Sequence, residues 1–145
     1  MSEIVQDHIV ARLREAGLRP TRQRIALTHL LFGKGDRHLT AEMLHAEAIQ
    51  SGIGVSLATI YNTLHHFTEV GLLREVAVDG AKTYFDTNTS DHFHFFFEQD
   101  GVLMDIEGEG PVSIDNLPEP PQGMEITRVD VLVRLAPRKH EAGAV

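Results

Sequence analysis

No cysteine occurs in the 145 residues. That absence excludes disulfides, thiol nucleophiles and every cysteine-based zinc or iron–sulfur site, so histidine and carboxylates are the only good ligands left for a transition metal. Nor is there an apolar run approaching the ~18 residues of a membrane-spanning helix, or a charged-then-apolar leader at the start of the chain. The expectation is a cytoplasmic protein with no membrane partner. Basic charge is also in short supply, with 13 Lys and Arg against 21 Asp and Glu, a formal net charge of −8. The length suits one ordinary domain or two small ones, and not three.

The shortage of positive charge is local. Residues 1–85 carry nine basic and nine acidic side chains, whereas residues 86–145 carry four and twelve. In the neutral part, Arg12, Arg14, Arg19, Arg22 and Arg24 fall within thirteen residues opposed only by Glu15. Such a patch attracts phosphates.

Four helices are expected in this part. Ile4, His8, Ile9, Leu13 and Ala16 recur at helical spacing up to Gly17, and Thr21 caps a second helix through Ile25, Leu27, Leu30 and Leu31 to Gly33. Thr40 opens a third, with Leu39 and Leu44 as a hydrophobic staple and Glu42 at the positive end. Ser56 opens a fourth, whose apolar stripe is Leu57, Ile60, Leu64, Phe67 and Val70. Two β-prone runs around Asp79-Gly80 then signal a hairpin. Helices followed by a two-stranded hairpin are the order of a winged helix-turn-helix. In that arrangement Ser56, Ala58, Thr59, Tyr61 and Asn62 are set to face base edges, with Arg19, Arg22 and Arg24 on the backbone. Thr and Tyr suit a thymine methyl and Asn suits adenine, which points to A/T-rich sites.

After Phe85 the chain reads HFHFFFEQDGVLMDI from residue 92. A two-residue turn at Asp100-Gly101 predicts Phe96 opposite Asp105. His92, His94 and Asp105 then share one face as metal ligands, turned outward, and Phe93, Phe95, Phe97, Met104 and Ile106 share the other, turned inward. Residues 107–123 read mostly as loop with at most a short helix near Ser113 to Leu117, ITRVDVLVRL as a last strand, and RKHEAGAV as a disordered tail. With roughly 50 ordered residues and no disulfide, this part needs a second copy to bury enough surface, so a homodimer is expected. A dimer also matches a palindromic operator.

GLRPTRQR, HLTAEMLH, VSLATIYNTLHHFTEVGLL and TYFDTNTSDHFHFFFEQDG, in this order and spacing, resemble the ferric uptake regulator family from about residue 8 to 136. Absence of cysteine, SIDNLPEPPQG and RVDVLVRL make the chain most similar to its iron response regulator branch. The resemblance implies an α+β fold: an N-terminal winged helix-turn-helix domain, residues 1–85, and a small C-terminal α/β dimerisation domain, residues 86–145, which senses metal or haem. It implies a homodimeric repressor of iron homeostasis on double-stranded operator DNA. It adds His38 and Asp86 to the metal site beside His92, His94 and Asp105. Three imidazoles and two carboxylates suit Fe(II) or Mn(II), with Zn(II) able to bind by dropping a ligand. Haem is a further ligand of that branch, through His92 or His94.

Departures from the family are informative. Phe97 and Asp100 stand where many relatives have a CxxC half-site, so no structural zinc held by four cysteines is expected. Asp91, Phe93 and Val129 break a second histidine-rich site, and Phe93 interrupts the branch's run of three histidines. His65 and His66, adjacent on the fourth helix, are read as surface or phosphate contacts and not as ligands. A metal-dependent hydrolase or a metal-storage protein is the alternative. No HExxH, nucleophile elbow or phosphate-cradling glycine loop supports an enzyme, and five protein ligands leave little room for substrate.

Overall fold

All four helices among the described residues begin at a hydroxyl side chain that accepts a hydrogen bond from the backbone N–H three residues on. Ser2 caps α1 (Glu3–Glu15), Thr21 caps α2 (Arg22–Phe32), Thr40 caps α3 (Ala41–Gln50) and Ser56 caps α4 (Leu57–Glu69). Each such cap contributes about 1 kcal/mol by satisfying a donor the helix leaves over. The sequence predicts these helices and the caps Thr21, Thr40 and Ser56, but names no cap for α1. Gly17, Gly52 and Gly71 lie just past three of them with φ between 74° and 83°, the left-handed conformation that turns the chain out of a helix at little cost only for glycine.

This computed structural model describes residues 1–79, 82–107 and 114–139. The chain divides into two units, Met1–Thr89 and Ser90–Val145. In the first, Leu13, Leu27, Leu31, Leu39, Leu44, Ile60, Leu64, Phe67 and Phe85 are wholly buried together. Each contributes about 1.5–3 kcal/mol on leaving water. Leu39 and Leu44 are the expected staple; Ile4, expected on the inward stripe of α1, instead lies 71% exposed. The wing is β2 (Arg74–Asp79) paired antiparallel with β3 (Lys82–Asp86). Gly80, where the hairpin signal falls, is outside the described residues.

One strand was not expected. β1 (His38–Leu39) has two residues and pairs antiparallel with β3, opposing His38 to Asp86. Two residues carry no period to read, and this strand exists only because β3, more than forty positions later, supplies its hydrogen-bonding edge.

The second unit has a sheet of order β5-β4-β6, built from β4 (His94–Phe97), β5 (Val102–Asp105) and β6 (Leu132–Leu135). Its register corrects the expectation: His94, not Phe96, opposes Asp105, and Phe97 opposes Val102. The connection is four residues, Glu98 to Gly101, closed by the Gly101 N–H donating to the Phe97 carbonyl at 2.8 Å, with Gly101 at φ 65°. A four-residue loop moves the pairing by two positions, an even number, so His94 and Asp105 still share a face. His92 and Phe93 precede the strand and do not belong to it.

The inward and outward faces are also exchanged. His94, Phe96 and Leu103 are 5–7% exposed, while Val102 and Met104 on the face of Phe95 and Phe97 are 50% and 46% exposed. Alternation tells which side chains share a face and says nothing about which face is covered. β6 runs parallel to β4 and starts only at Leu132, so ITRVDV is not strand. Residues 114–117 have no regular structure; Ser113 and residues 140–145, which held the start of the expected short helix and most of the expected tail, lie outside the described residues. No described helix is long and apolar enough to cross a membrane.

Candidate metal centre and nucleic-acid face

In the first unit the β1–β3 pairing sets His38 Nε2 3.2 Å from Asp86 Oδ2, with the Asp86 side chain 1% exposed. A carboxylate that dry must be compensated. The Asn88 N–H donates to Oδ1 at 2.9 Å and the imidazole serves Oδ2. The residue before His38 keeps β1 in position. Its backbone N–H donates to Thr87 Oγ1 at 2.8 Å and its carbonyl accepts from the Thr87 N–H at 3.1 Å. The Arg37 guanidinium forms a two-pronged pair with Glu47 of α3 at 2.9 and 2.5 Å and donates to the Leu30 carbonyl at 3.3 Å. Hydrogen bonding to Arg37 holds the Glu47 carboxyl below its usual range, outweighing burial, and the same bond raises the guanidinium.

In the second unit, His92 Nε2 and His94 Nε2 lie 3.1 and 3.4 Å from one oxygen of Asp105, and the two rings are 4.5 Å apart. Hydrogen bonding decides what this cluster can hold. His92 Nδ1 is 2.6 Å from the Ser90 carbonyl; a carbonyl only accepts, so Nδ1 carries a proton. Nε2 is left facing the Asp105 carboxylate, where a ring N–H or a cation held by both groups would satisfy it. Metal-bound histidines show this arrangement, one nitrogen on the ion and the other N–H on a carbonyl. The ligand atoms of His92, His94 and Asp105 are within 4.8 Å of one another, close enough to share one ion. Imidazole and carboxylate donors without thiolate suit Fe(II), Mn(II) or Zn(II).

On α4, Ser56, Ala58 and Asn62 are exposed and Thr59 and Tyr61 half-buried, while Ile60, Leu64 and Phe67 are buried as expected. Ser56 Oγ also meets Thr59 Oγ1 at 2.9 Å. The Tyr61 hydroxyl donates to Glu42 Oε1 of α3 at 2.6 Å, which lowers the Glu42 carboxyl and raises the Tyr61 phenol. Arg19 and Arg22 are exposed, and Arg24 donates to the Arg19 carbonyl at 3.0 Å. Arg12, part of the sequence's basic patch, lies over the Phe32 ring at 3.8 Å. His65 stacks on Tyr61 and meets Phe85 edge-on, whereas His66 faces Arg24, so these neighbours do point apart. Arg37 and Glu47 have no role in the sequence reading, and Glu42 has one only at the start of α3, without its bond to Tyr61. Each is an ordinary charged residue whose partner lies ten or nineteen positions away, and no local pattern marks it.

Among curated proteins, the peroxide-responsive repressor PerR of Staphylococcus aureus is 35% identical over 98 residues, 68% of this chain. The match spans 66% of that repressor's length. Among solved structures, the ferric uptake regulator from Pseudomonas aeruginosa with manganese superposes with a TM-score of 0.69 at 22% identity, covering 90% of this chain and 98% of that one. The Vibrio cholerae ferric uptake regulator gives 0.66 at 22% identity, covering 86% and 96%. At that identity the two structures establish the fold, which is α+β with a winged helix-turn-helix. Residues 15–133 match the model of the ferric uptake regulator family, and the chain belongs to that family.

Proposed function

We propose that the protein is a metal-responsive transcriptional regulator, not an enzyme, that binds operator DNA as a homodimer in the cytoplasm. One observation carries the reading: in the first unit, ligand residues and reading head share the same strands. β3 is both a wing strand and the bearer of Asp86, and His38 on β1 is followed within two residues by Thr40, the cap of α3. Closing His38 and Asp86 on an ion with His92, His94 and Asp105 would tighten β1 against β3 and so fix the wing relative to α3 and α4. A divalent cation supplies the positive charge that a ligand set of two carboxylates and three imidazoles calls for. DNA affinity then depends on metal by thermodynamic coupling.

The ion is Fe(II) or Mn(II), which the mixed histidine and carboxylate set favours over the lower coordination of zinc. Haem would compete for His92 or His94. Absence of cysteine, SIDNLPEPPQG and RVDVLVRL support membership of the iron response branch, and with it repression in iron homeostasis. On DNA, Ser56, Ala58, Thr59, Tyr61 and Asn62 read an A/T-rich palindrome from the major groove while Arg19, Arg22 and Arg24 contact the backbone. The second copy covers the exposed apolar sheet face bearing Phe95, Phe97, Val102 and Met104.

The test is an operator gel shift with purified protein on duplexes it selects from a random pool, run metal-free, with Mn(II), with anaerobic Fe(II) and with haem. Affinity is expected to change at least tenfold with one metal. Equal retardation under all four conditions would overturn metal response, and failure to select any duplex would overturn the DNA reading.

A further inference from the structure

Between the first turn of α2 and the middle of α4 lies a cleft of about 290 Å³, lined by Gln23 and Arg24 on one side and Asn62, Thr63 and His66 on the other, with buried Phe67 also contributing. No carboxylate lines it among the described residues. Arg24 Nη2 meets His66 Nδ1 at 3.5 Å across the two helices, the long limit of a hydrogen bond. Guanidinium has no acceptor, so Nδ1 must be accepting, which leaves the proton on Nε2 as a donor free to serve another group. Arg24 is held from the other side by the Arg19 carbonyl at 3.0 Å. A permanently charged guanidinium fixed at two points, an imidazole N–H, two amides and the hydroxyls of Thr21, Thr59 and Thr63 thus line one space with groups able to donate. That inventory calls for a compact anion with several acceptor oxygens.

We propose that this cleft is the seat of one phosphodiester of the DNA backbone, held by Arg24 and His66 with Gln23, Asn62 and Thr63 around it. The inference rests on the DNA-binding reading above and deepens it: Gln23 and Thr63 join the contact set, His66 is assigned to phosphate out of the surface-or-phosphate reading, and their task is to fix register without reading sequence. The position agrees with that task. The base-reading turns of α4 bring Thr59 and Asn62 to the edge of the cleft, and Thr63 and His66 continue it along the helix, where the strand passes beside a recognition helix. The start of α2 contributes Gln23 and Arg24 across the cleft from α4. Arg24 and His66 also tie α2 to α4, so an occupied seat sets the angle at which α4 enters the groove.

The experiment uses the full-length metal-loaded protein and one duplex that it has itself selected from a random pool. A single methylphosphonate, which removes the charge of one linkage, is walked along each strand. Arg24→Gln and His66→Gln are compared with the parent after circular dichroism has shown both folded. Three results are expected. The parent loses roughly 10-fold or more in affinity at one linkage per half-site. Both variants bind the unmodified duplex more weakly, and Arg24→Gln, which loses a charge, has a salt slope shallower by about one per half-site. At that linkage the methylphosphonate costs Arg24→Gln nothing further. Additive losses in Arg24→Gln, or an unchanged salt slope in that variant, would overturn the seat while leaving the regulator reading intact. Should no linkage matter in a parent that binds tightly, the seat is likewise overturned. Failure of the parent to select any duplex overturns both.

Discussion

Replacing Glu47 by Gln isolates the brace that holds the metal-bearing strand β1. Gln keeps the shape and one acceptor but removes the charge that makes the fork with Arg37 strong. Hydrogen bonds to charged groups contribute about 1.5–3 kcal/mol. The side chains of Arg37 and Glu47 are 16% and 21% exposed, so water screens this pair only in part. Arg37 also retains the Leu30 carbonyl. The expected loss is therefore about 2 kcal/mol at pH 7, a fall of about 4–8 °C in Tm for a chain of this length. The pH dependence provides the sharper check. The folded Glu47 carboxyl titrates below its ordinary value because of Arg37. Its contribution is thus fully present above the ordinary carboxylate range and disappears as pH falls through the lowered folded value. Arg37 is raised from an already high value, so its contribution is lost only in strong alkali.

Thermal melts by circular dichroism from pH 7 downward should show the gap between parent and Glu47→Gln closing as Glu47 protonates in the parent. Because Arg37 also carries the backbone bonds to Thr87 that adjoin His38, Mn(II) binding by calorimetry should weaken in the variant by up to about 10-fold, the low end of the effect of a ligand's own partner, since Glu47 acts one step further out. A Tm within 1 °C of the parent at pH 7, as an order-of-magnitude threshold, would refute the brace. So would a gap that persists undiminished at the lowest pH where both fold.

Other perturbations test separate parts of the reading. His92→Ala with His94→Ala should leave a folded dimer that no longer changes DNA affinity with metal; identical titration curves for variant and parent would sink the proposed centre. Glu42→Gln should bring the Tyr61 phenol down toward the ordinary tyrosine range, because the carboxylate that raises it is gone. Absorbance at 295 nm in alkaline titration reads this against Tyr84, and an unmoved phenol would contradict the Tyr61–Glu42 bond. Met104→Glu puts a charge on the exposed apolar sheet face and is expected to shift sedimentation toward monomer; an unchanged dimer would mean that the second copy docks elsewhere. Tyr61→Ala or Arg22→Ala should weaken operator binding in a footprint assay, and full protection by both variants would contradict the assigned DNA face.

Much of the first unit is determined locally and is legible in one dimension. Ser and Thr caps, terminal glycines and the stripe Ile60–Leu64–Phe67 act within a few residues of one another, so helix starts and faces follow directly from residue order. Strand parity is local too, which is why His94 and Asp105 share a face even though their register was misjudged by two. Tertiary structure alone decided what depends on distant partners. It turned His38 into a strand residue opposite Asp86, joined Arg37 to Glu47 and Tyr61 to Glu42, and brought Arg24 to His66 across 42 positions. It also decided which side of the small sheet is covered. The physical reason is common to these cases: a hydrogen-bonding edge or a charge partner supplied by remote chain leaves no periodic trace in the residues that receive it.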